Sequence, residues 1–427
     1  MKILVVGGGG REHAIIWKLK QSSIINKIYC APGNAGISEL AECVPIGAME
    51  FNKLISFVKE KEIDYTIIGM DDPLAGGIVD AFENENLKVF GPRQNAAILE
   101  SSKAFAKNLM KKYNIPTANY ETFDDYESAK VYLDKQDMPI VLKADGLALG
   151  KGVLICKTLE EAQQGLKEIM QEHKFGDAGN TVIIEEFLEG PEVSILSFCD
   201  GKTIIPMVSA QDHKRAFDND EGLNTGGMGT FSPSKFYTNE MSEECMKTIF
   251  QPTVDAMLQE NRPFVGIIYF GLMYTKKGMK VIEYNARFGD PETQVILPRL
   301  KTDLLDIMLA CTNGTLDCIN IEWYDNAAVC VILASGGYPV SYTKGYEITG
   351  LDEVSKKKNI IVFHAGTEKK EGKIVTSGGR VLGITGIGNT IDEAIKTAYE
   401  GVEIVNFNQK HFRTDIGKKN QNHPLTE

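Results

Sequence analysis

Glu283, Asn285 and Arg287 stand at alternate positions near the end of a β-rich run, Val281-Ile-Glu-Tyr-Asn-Ala-Arg287. Side chains alternate along a strand, so these three point to one face. A carboxylate and an amide carbonyl are hard oxygens suited to Mg²⁺ bridging phosphates, and an adjacent arginine can neutralise a carboxylate or a phosphoryl oxygen. An ordinary solvated strand face would show the same alternation. Against that stand the next residues, Arg287-Phe-Gly-Asp290-Pro-Glu292, which are mostly polar or turn-forming where a core strand would be apolar.

Two glycine-rich loops could face phosphates. Ile140-Val-Leu-Lys143 runs into Ala-Asp-Gly146-Leu-Ala-Leu-Gly150-Lys151-Gly152. A Walker A loop needs four residues between its glycines and Ser or Thr after the lysine, and this loop has three, followed by Gly152. A lysine that ends a strand before a glycine flap can nevertheless cover a triphosphate with ammonium charge and backbone N–H groups. The other loop, Val6-Gly7-Gly8-Gly9-Gly10-Arg11-Glu12-His13, joins a strand to a helix but fails the dinucleotide fingerprint. Its third required glycine falls on Glu12 or His13, and Cys30-Ala31-Pro32 stands where an acidic residue would close the second strand. It reads either as an anion or polar-substrate seat at a helix N-terminus or as a tight turn needing small residues. In Glu185-Glu186-Phe187-Leu188, followed by Glu192, a buried strand can offer its backbone to an adenine edge while a later carboxylate holds ribose hydroxyls.

The elements that must position these groups follow from patterning. Ile3–Val6, Lys27–Cys30, Tyr65–Gly69 and Lys88–Phe90 read as short strands alternating with helical stretches such as Phe51–Glu60, the signature of a parallel sheet. Ser101–Tyr113 reads as a helix capped by serine. From 181 onward strand follows strand, and Gly266–Thr275 with Met279–Asn285 forms a hairpin around Lys276-Lys277-Gly278. Residues 211–234 are polar, glycine-rich and without clear periodicity, which predicts a long active-site loop. A third region begins after about 315, with strands Ala327–Ala334, Ile360–Phe363 and Arg380–Ile387, a closing helix Ile391–Val405 and a polar tail. The fold class is therefore multi-domain α/β, with 427 residues enough for about three units at ~150 residues each. The expected units are an N-terminal parallel-sheet domain over 1–100, a nucleotide-binding core over 101–315 and a C-terminal α/β domain over 316–427.

Composition narrows the classes. A net charge of −12 argues against nucleic-acid partners, so an anionic substrate must be held by local basic groups. No apolar run is long enough to cross a bilayer, and the N-terminus lacks the apolar core of a secretory signal. Eight cysteines without a C-x-x-C pair suit reduced thiols in a cytosol, with neither disulfides nor structural zinc expected.

Taken together, Lys103, Lys143 with its flap, Glu185 to Leu188 with Glu192, and Glu283-x-Asn285 stand in the order used by ATP-grasp ligases, which the chain resembles. The block Arg287-Phe-Gly-Asp-Pro-Glu-Thr-Gln294 is similar to the signature of the phosphoribosylamine–glycine ligase family. So are Gly9 to Ala14, Ala31 to Gly36, Ser209 to Arg215 and Asn224 to Gly229. The resemblance implies an ATP-grasp core whose small lobe, about 118–190, covers the nucleotide. It implies that Lys103 and Lys143 contact ATP phosphates, that Glu185, Glu186, Phe187 and Leu188 grip adenine, that Glu192 holds ribose, and that Glu283 and Asn285 bind Mg²⁺ or Mn²⁺. Gly9, Gly10, Arg11, Asp71, Asp212, Lys214, Arg287, Asp290 and Glu292 would meet glycine and 5-phosphoribosylamine, with Arg287, Asp290 and Lys143 in the chemistry. Thr376-Ser-Gly378-Gly379-Arg380 is similar to a phosphate-binding turn of related enzymes. The resemblance departs at Asp71, where family members carry glutamate, and at Gly8, where asparagine is common. It implies a cytoplasmic, monomeric enzyme of purine biosynthesis. A carboxylase-type ATP-grasp relative, a non-catalytic nucleotide-binding regulator and a dehydrogenase are the competing readings. His213 is a candidate for proton transfer from the attacking amine.

Overall fold

A computed structural model describes residues 1–147 and 152–418. The first unit is a parallel sheet of five strands in the order Glu42–Cys43, Lys27–Pro32, Lys2–Gly7, Tyr65–Ile68, Val89–Phe90. Its middle strand is apolar on both faces, with Ile3 to Val6 fully buried, as a strand covered by helices on both sides requires. Helices Gly10–Leu19 and Phe51–Lys61 supply two of those covers. The carboxyl ends of the strands open on the loop at Gly7–Gly9 and on Asp71, the edge where open α/β sheets place ligands.

The helix expected from Ser101 starts at Lys103 and runs to Lys112, with the Ser102 hydroxyl accepting from the Phe105 amide. Ser101 instead closes a separate helix, Gln94–Ser101. Two antiparallel sheets follow. The smaller has the order Tyr120–Phe123, Val182–Glu186, Ile140–Ala144, Val153–Cys156, backed by helices Tyr126–Leu133 and Leu159–Met170 over Leu133, Leu142, Leu166 and Ile184. The larger has the order Ile204–Pro206, Glu192–Asp200, Val265–Thr275, Gly278–Asn285, and contains the expected hairpin.

Pairing in that hairpin slips between Val281 and Glu283, leaving Ile282 without an opposite residue. The slip is a bulge, and it changes which positions face the core. Met279 and Val281 are buried before it and Tyr284 and Ala286 after it. Were the same residues paired regularly, without the bulge, Glu283 and Asn285 would share the core face of Met279 and Val281.

The stretch 211–234 is not one long loop. It contains the hairpin Arg215–Phe217 with Glu221–Asn224, and two strands, Gln211–Asp212 and Gly229–Ser232, that open the C-terminal sheet. That sheet continues through Ala327–Ser335, Arg380–Gly388 and Ile360–His364, with Lys410–His411 against Ala327–Ser335. The strands were invisible locally because they are short and largely polar; Gln211–Asp212 pairs only with Gly229–Ser232, whose other partner, Ala327–Ser335, lies about a hundred residues onward. Helix Ile391–Ile404 covers the sheet. Apolar clusters run across the units: Val6 and Ile68 share one with Ile195 and Phe270, and Ile15 shares another with Phe198 and Phe363. The glycine flap from Ala148 to Lys151 and the tail from Lys419 onward lie outside the described residues.

Candidate active site

Four walls meet at the carboxyl ends of the first sheet. On the N-terminal wall, the Gly9 amide donates to Glu12 Oε2 at 2.6 Å and the Arg11 amide to Asp290 Oδ2 at 3.4 Å. The helix N-terminus read as an anion seat is thus met by two carboxylates of the chain itself. Gly10 is needed for this approach, since a Cβ there would lie 2.6 Å from Gln294 Nε2. Arg11 Nη1 donates to Gly69 O at 3.2 Å. Gln294 Nε2 donates to Asp290 Oδ1 at 2.8 Å, and Arg380 Nη1 reaches Asp290 O at 2.7 Å and Gly226 O at 2.6 Å. Burial would raise the Asp290 carboxyl, but Arg380 and Arg11 outweigh it and hold it below the usual range. Asp290 therefore ties the first loop, the motif block and Arg380 of the C-terminal wall together. Gly378 and Gly379 lie beside Arg380, their carbonyls accepting from the Ser335 hydroxyl and amide at 2.8 Å each.

Arg287 sits on the third wall. Its Nη2 is 3.0 Å from Glu100 Oε1, 3.1 Å from Asn285 Oδ1 and 3.7 Å from Asp71 Oδ2. Glu100 is buried, and its other oxygen accepts from the Ala286 amide at 2.7 Å. Burial pushes the Glu100 carboxyl up against the pull of Arg287, whereas Asp71, also desolvated, is held low by Arg287 and Arg11. Glu292 is buried and accepts from Ser194 Oγ at 3.1 Å and Tyr269 OH at 3.0 Å. Across from it, enclosure and the charge of Glu292 push the Asp212 carboxyl well above its usual range, and Asp212 Oδ1 has no hydrogen-bond partner among the described residues.

Glu283 faces the cleft beside Lys214 Nζ, 3.2 Å from Oε1, and Lys214 also lies 3.6 Å from Glu192. Lys214 holds the Glu283 carboxyl down at about 2 despite desolvation, so Glu283 is ionised at neutral pH. Among the described residues no cluster of three or more His, Cys, Asp or Glu could cage a metal. Glu283 Oε2 and the Asn285 carbonyl instead fit a metal that arrives with a triphosphate, since Mg²⁺ commonly takes one or two protein oxygens plus phosphates and water.

On the small lobe, Lys143 Nζ is 3.0 Å from Glu185 Oε2 and donates to Ile282 O at 3.1 Å. Lys107 Nζ lies 3.0 Å from the same Glu185 oxygen. Burial brings the Lys107 ammonium down to about 8. Lys103 Nζ donates to Gly146 O at 2.6 Å. Glu186 accepts from the Asn119 amide at 3.0 Å and from Lys280 Nζ at 2.7 Å, while Phe187 and Leu188 are half-buried where the strand leaves the sheet. Lys143, expected to face phosphate, is therefore adjacent to the expected adenine segment and is joined to it at Glu185, where Lys107 also meets it.

His213 does not face the cleft. It alternates with Asp212 and Lys214, packs on Phe231, and its Nδ1 lies 3.3 Å from Gly229 O. Burial lowers it to about 4. Sequence reasoning missed Glu12, which caps its own loop through the Gly9 amide, and Glu100 and Lys107, which act through long-range pairs. A basic residue on the apolar face of a predicted helix was the available signal for Lys107, whereas Glu100 lies in the helix Gln94–Ser101, which was not expected.

Family models described as phosphoribosylglycinamide synthetase match the N domain over residues 1–100, the ATP-grasp (A) domain over 101–293 and the C domain over 328–419. The phosphoribosylamine–glycine ligase of Caldanaerobacter subterraneus subsp. tengcongensis is 51% identical over 416 residues, 97% of this chain and 99% of the relative. That of Halalkalibacterium halodurans is 49% identical over 98% of this chain and 97% of the relative. The crystal structure of the Thermotoga maritima phosphoribosylamine–glycine ligase superposes with a TM-score of 0.86 at 34% identity, covering 97% of this chain and all of that one. With three consecutive domains matched and about half the residues identical along nearly its whole length, the chain belongs to the phosphoribosylglycinamide synthetase family of ATP-grasp ligases.

Proposed function

We propose that the cleft joins glycine to 5-phosphoribosylamine with consumption of ATP, giving glycinamide ribonucleotide, ADP and phosphate through glycyl phosphate. The observation that carries this reading is the junction at Asp290, where the first loop, the Arg287 to Gln294 block and Arg380 meet beside the lysine-lined small lobe. Glycine's carboxylate attacks the γ-phosphorus of ATP. The sugar amine then attacks the acyl carbonyl, and phosphate leaves. No protein nucleophile is required. The protein aligns reactants, neutralises charge on the transferred phosphoryl group and keeps water from the acyl phosphate.

In this reading Lys103 and Lys143 face the phosphates, Glu185 to Leu188 lie along adenine, and Glu192 holds ribose. Glu283 and Asn285 hold Mg²⁺ or Mn²⁺, which neutralises phosphate charge. Arg287 receives the glycine carboxylate and the developing phosphoryl charge, with Asp71 as its side partner. Asp290, Glu292 and Asp212 orient amino groups, and Lys214 screens Glu283. Arg380 offers its remaining N–H donors, with the turn at Gly378 and Gly379, to the phosphate of phosphoribosylamine, whose sugar lies toward Gly9, Gly10 and Arg11. The domains run 1–100, 101–315 with a small lobe at about 118–190, and 316–427. The enzyme works as a cytoplasmic monomer without nucleic-acid or membrane partners; among the described residues no helix is long and apolar enough to cross a membrane.

The test is ADP release with Mg²⁺-ATP, glycine and freshly generated phosphoribosylamine, omitting one component at a time. Release that needs all three, with glycinamide ribonucleotide formed, supports the reading. Release that needs a different carboxylate would transfer the function to an ATP-grasp relative.

A further inference from the structure

We infer that Lys107 is a positioning residue for nucleotide binding, the standing counter-ion of Glu185 that leaves Lys143 free to exchange that carboxylate for a phosphate. The inference rests on the reading that Lys143 contacts ATP phosphates. Both ammonium groups lie 3.0 Å from the same oxygen, Glu185 Oε2, and all three side chains are buried. Two cations on one carboxylate leave a net positive charge away from water, an arrangement that favours an incoming anion. The two lysines are not equivalent. Lys107 is fixed on its far side by Thr117 Oγ1 at 2.8 Å and by the Tyr120 ring, whose centroid is 5.5 Å away. Thr117 is itself tied to Val281 O at 2.7 Å. Among the described residues, Lys143 donates besides to the carbonyl of Ile282 and feels the charge of Glu283, with no side-chain anchor like that of Lys107. Ile282 is the residue that the bulge leaves without an opposite partner, immediately before Glu283.

Lys143 is therefore the lysine that can move, and it starts next to the residues expected to hold the metal. If it were the sole partner of Glu185, its departure would strand a buried carboxylate, an outcome that is strongly unfavourable. Lys107 removes that obstacle because the pair it forms with Glu185 stays neutral when Lys143 turns away. Glu185 thus acts as a dock for two lysines, one permanent and one exchangeable.

The test is calorimetric titration of a non-hydrolysable ATP analogue with Mg²⁺ into the purified protein, alongside steady-state kinetics. Lys107→Met is expected to weaken analogue binding and raise the ATP KM by ~10-fold or more, with the glycine KM unchanged, and Lys107→Arg to restore most of the loss. Glu185→Gln removes the carboxylate that could be stranded, so adding Lys107→Met to it should change analogue affinity by less than about 3-fold. That comparison decides the matter even if Lys107→Met alone does not fold. Wild-type affinity in a folded Lys107→Met protein, or a further loss of about 10-fold on adding it to Glu185→Gln, would overturn the inference. A Lys143→Met protein that binds the analogue normally would overturn the underlying role of Lys143, and the inference with it.

Discussion

Glu100→Gln should disable the cleft without touching a substrate. Glu100 belongs to the last helix of the N-terminal unit and holds the Arg287 guanidinium at 3.0 Å, with both side chains largely buried. A unit charge pair at that distance interacts by about 5 kcal/mol at an effective dielectric near 20. The net loss is smaller, because glutamine still offers an oxygen and Asn285 Oδ1 and Asp71 Oδ2 remain at 3.1 and 3.7 Å. A loss of roughly 2–3 kcal/mol in holding Arg287 on the transferring group corresponds to a roughly 30- to 160-fold fall in kcat. The assay is ADP release at saturating substrates, with ATP affinity measured separately by titration. The expected pattern is a reduced kcat with ATP affinity near wild type, because Glu100 is bonded to Arg287 and the Ala286 amide and its charge is only the weakest of the influences on Lys103. A Glu100→Gln enzyme with kcat within about 3-fold of wild type would refute the view that this buried pair sets the arginine.

Arg380→Ala should raise the KM for phosphoribosylamine by ~10-fold or more and leave ATP and glycine KM values nearly unchanged, read by varying each substrate in turn. Gly10→Ala places a Cβ 2.6 Å from Gln294 Nε2, so either the Gln294 amide must leave Asp290 or the first loop must shift; a fall in both activity and melting temperature is expected, and a crystal structure with the first loop and Gln294 both unmoved would contradict it. Three buried histidines make the fold acid-sensitive. Burial holds His13 at about 3 and His213 and His364 at about 4, below the ordinary value of 6.5, so each is neutral in the fold and binds its proton on unfolding. Their stabilisation is present in full above about pH 6.5 and is lost as pH falls toward 4, by about 2 kcal/mol per histidine at pH 5. Denaturant midpoints measured from pH 7.5 to 5 should fall accordingly, and less so in His13→Gln.

The difference between what was legible in the chain and what was not follows range of interaction. The first sheet was readable because Ile3 to Val6 and Tyr65 to Ile68 are apolar runs closed by turn residues, which is local information. The hairpin at 265–285 was readable for the same reason, with Lys276-Lys277 turning between the two strands and Gly278 opening the second. Residues 211–234 were misread as one loop because Gln211–Asp212 and Gly229–Ser232 carry too little apolar content to declare themselves. Gly229–Ser232 becomes a strand through Ala328 to Val331, which it meets only in the folded chain.

The candidate site divides the same way. Residue types and order determined the chemistry: lysines before a glycine flap, Glu283 with Asn285, and the block from Arg287 to Gln294, each legible because its members sit within a few residues of one another. Tertiary structure decided how those groups are aimed. The bulge at Ile282 turns Glu283 and Asn285 out of the core, Asp290 reaches the Arg11 amide across 279 residues, and Glu100 and Lys107 acquire their charge partners from other elements. A side chain's chemical identity is covalent and written in the sequence, whereas its partner, its burial and hence its charge are properties of the packed chain.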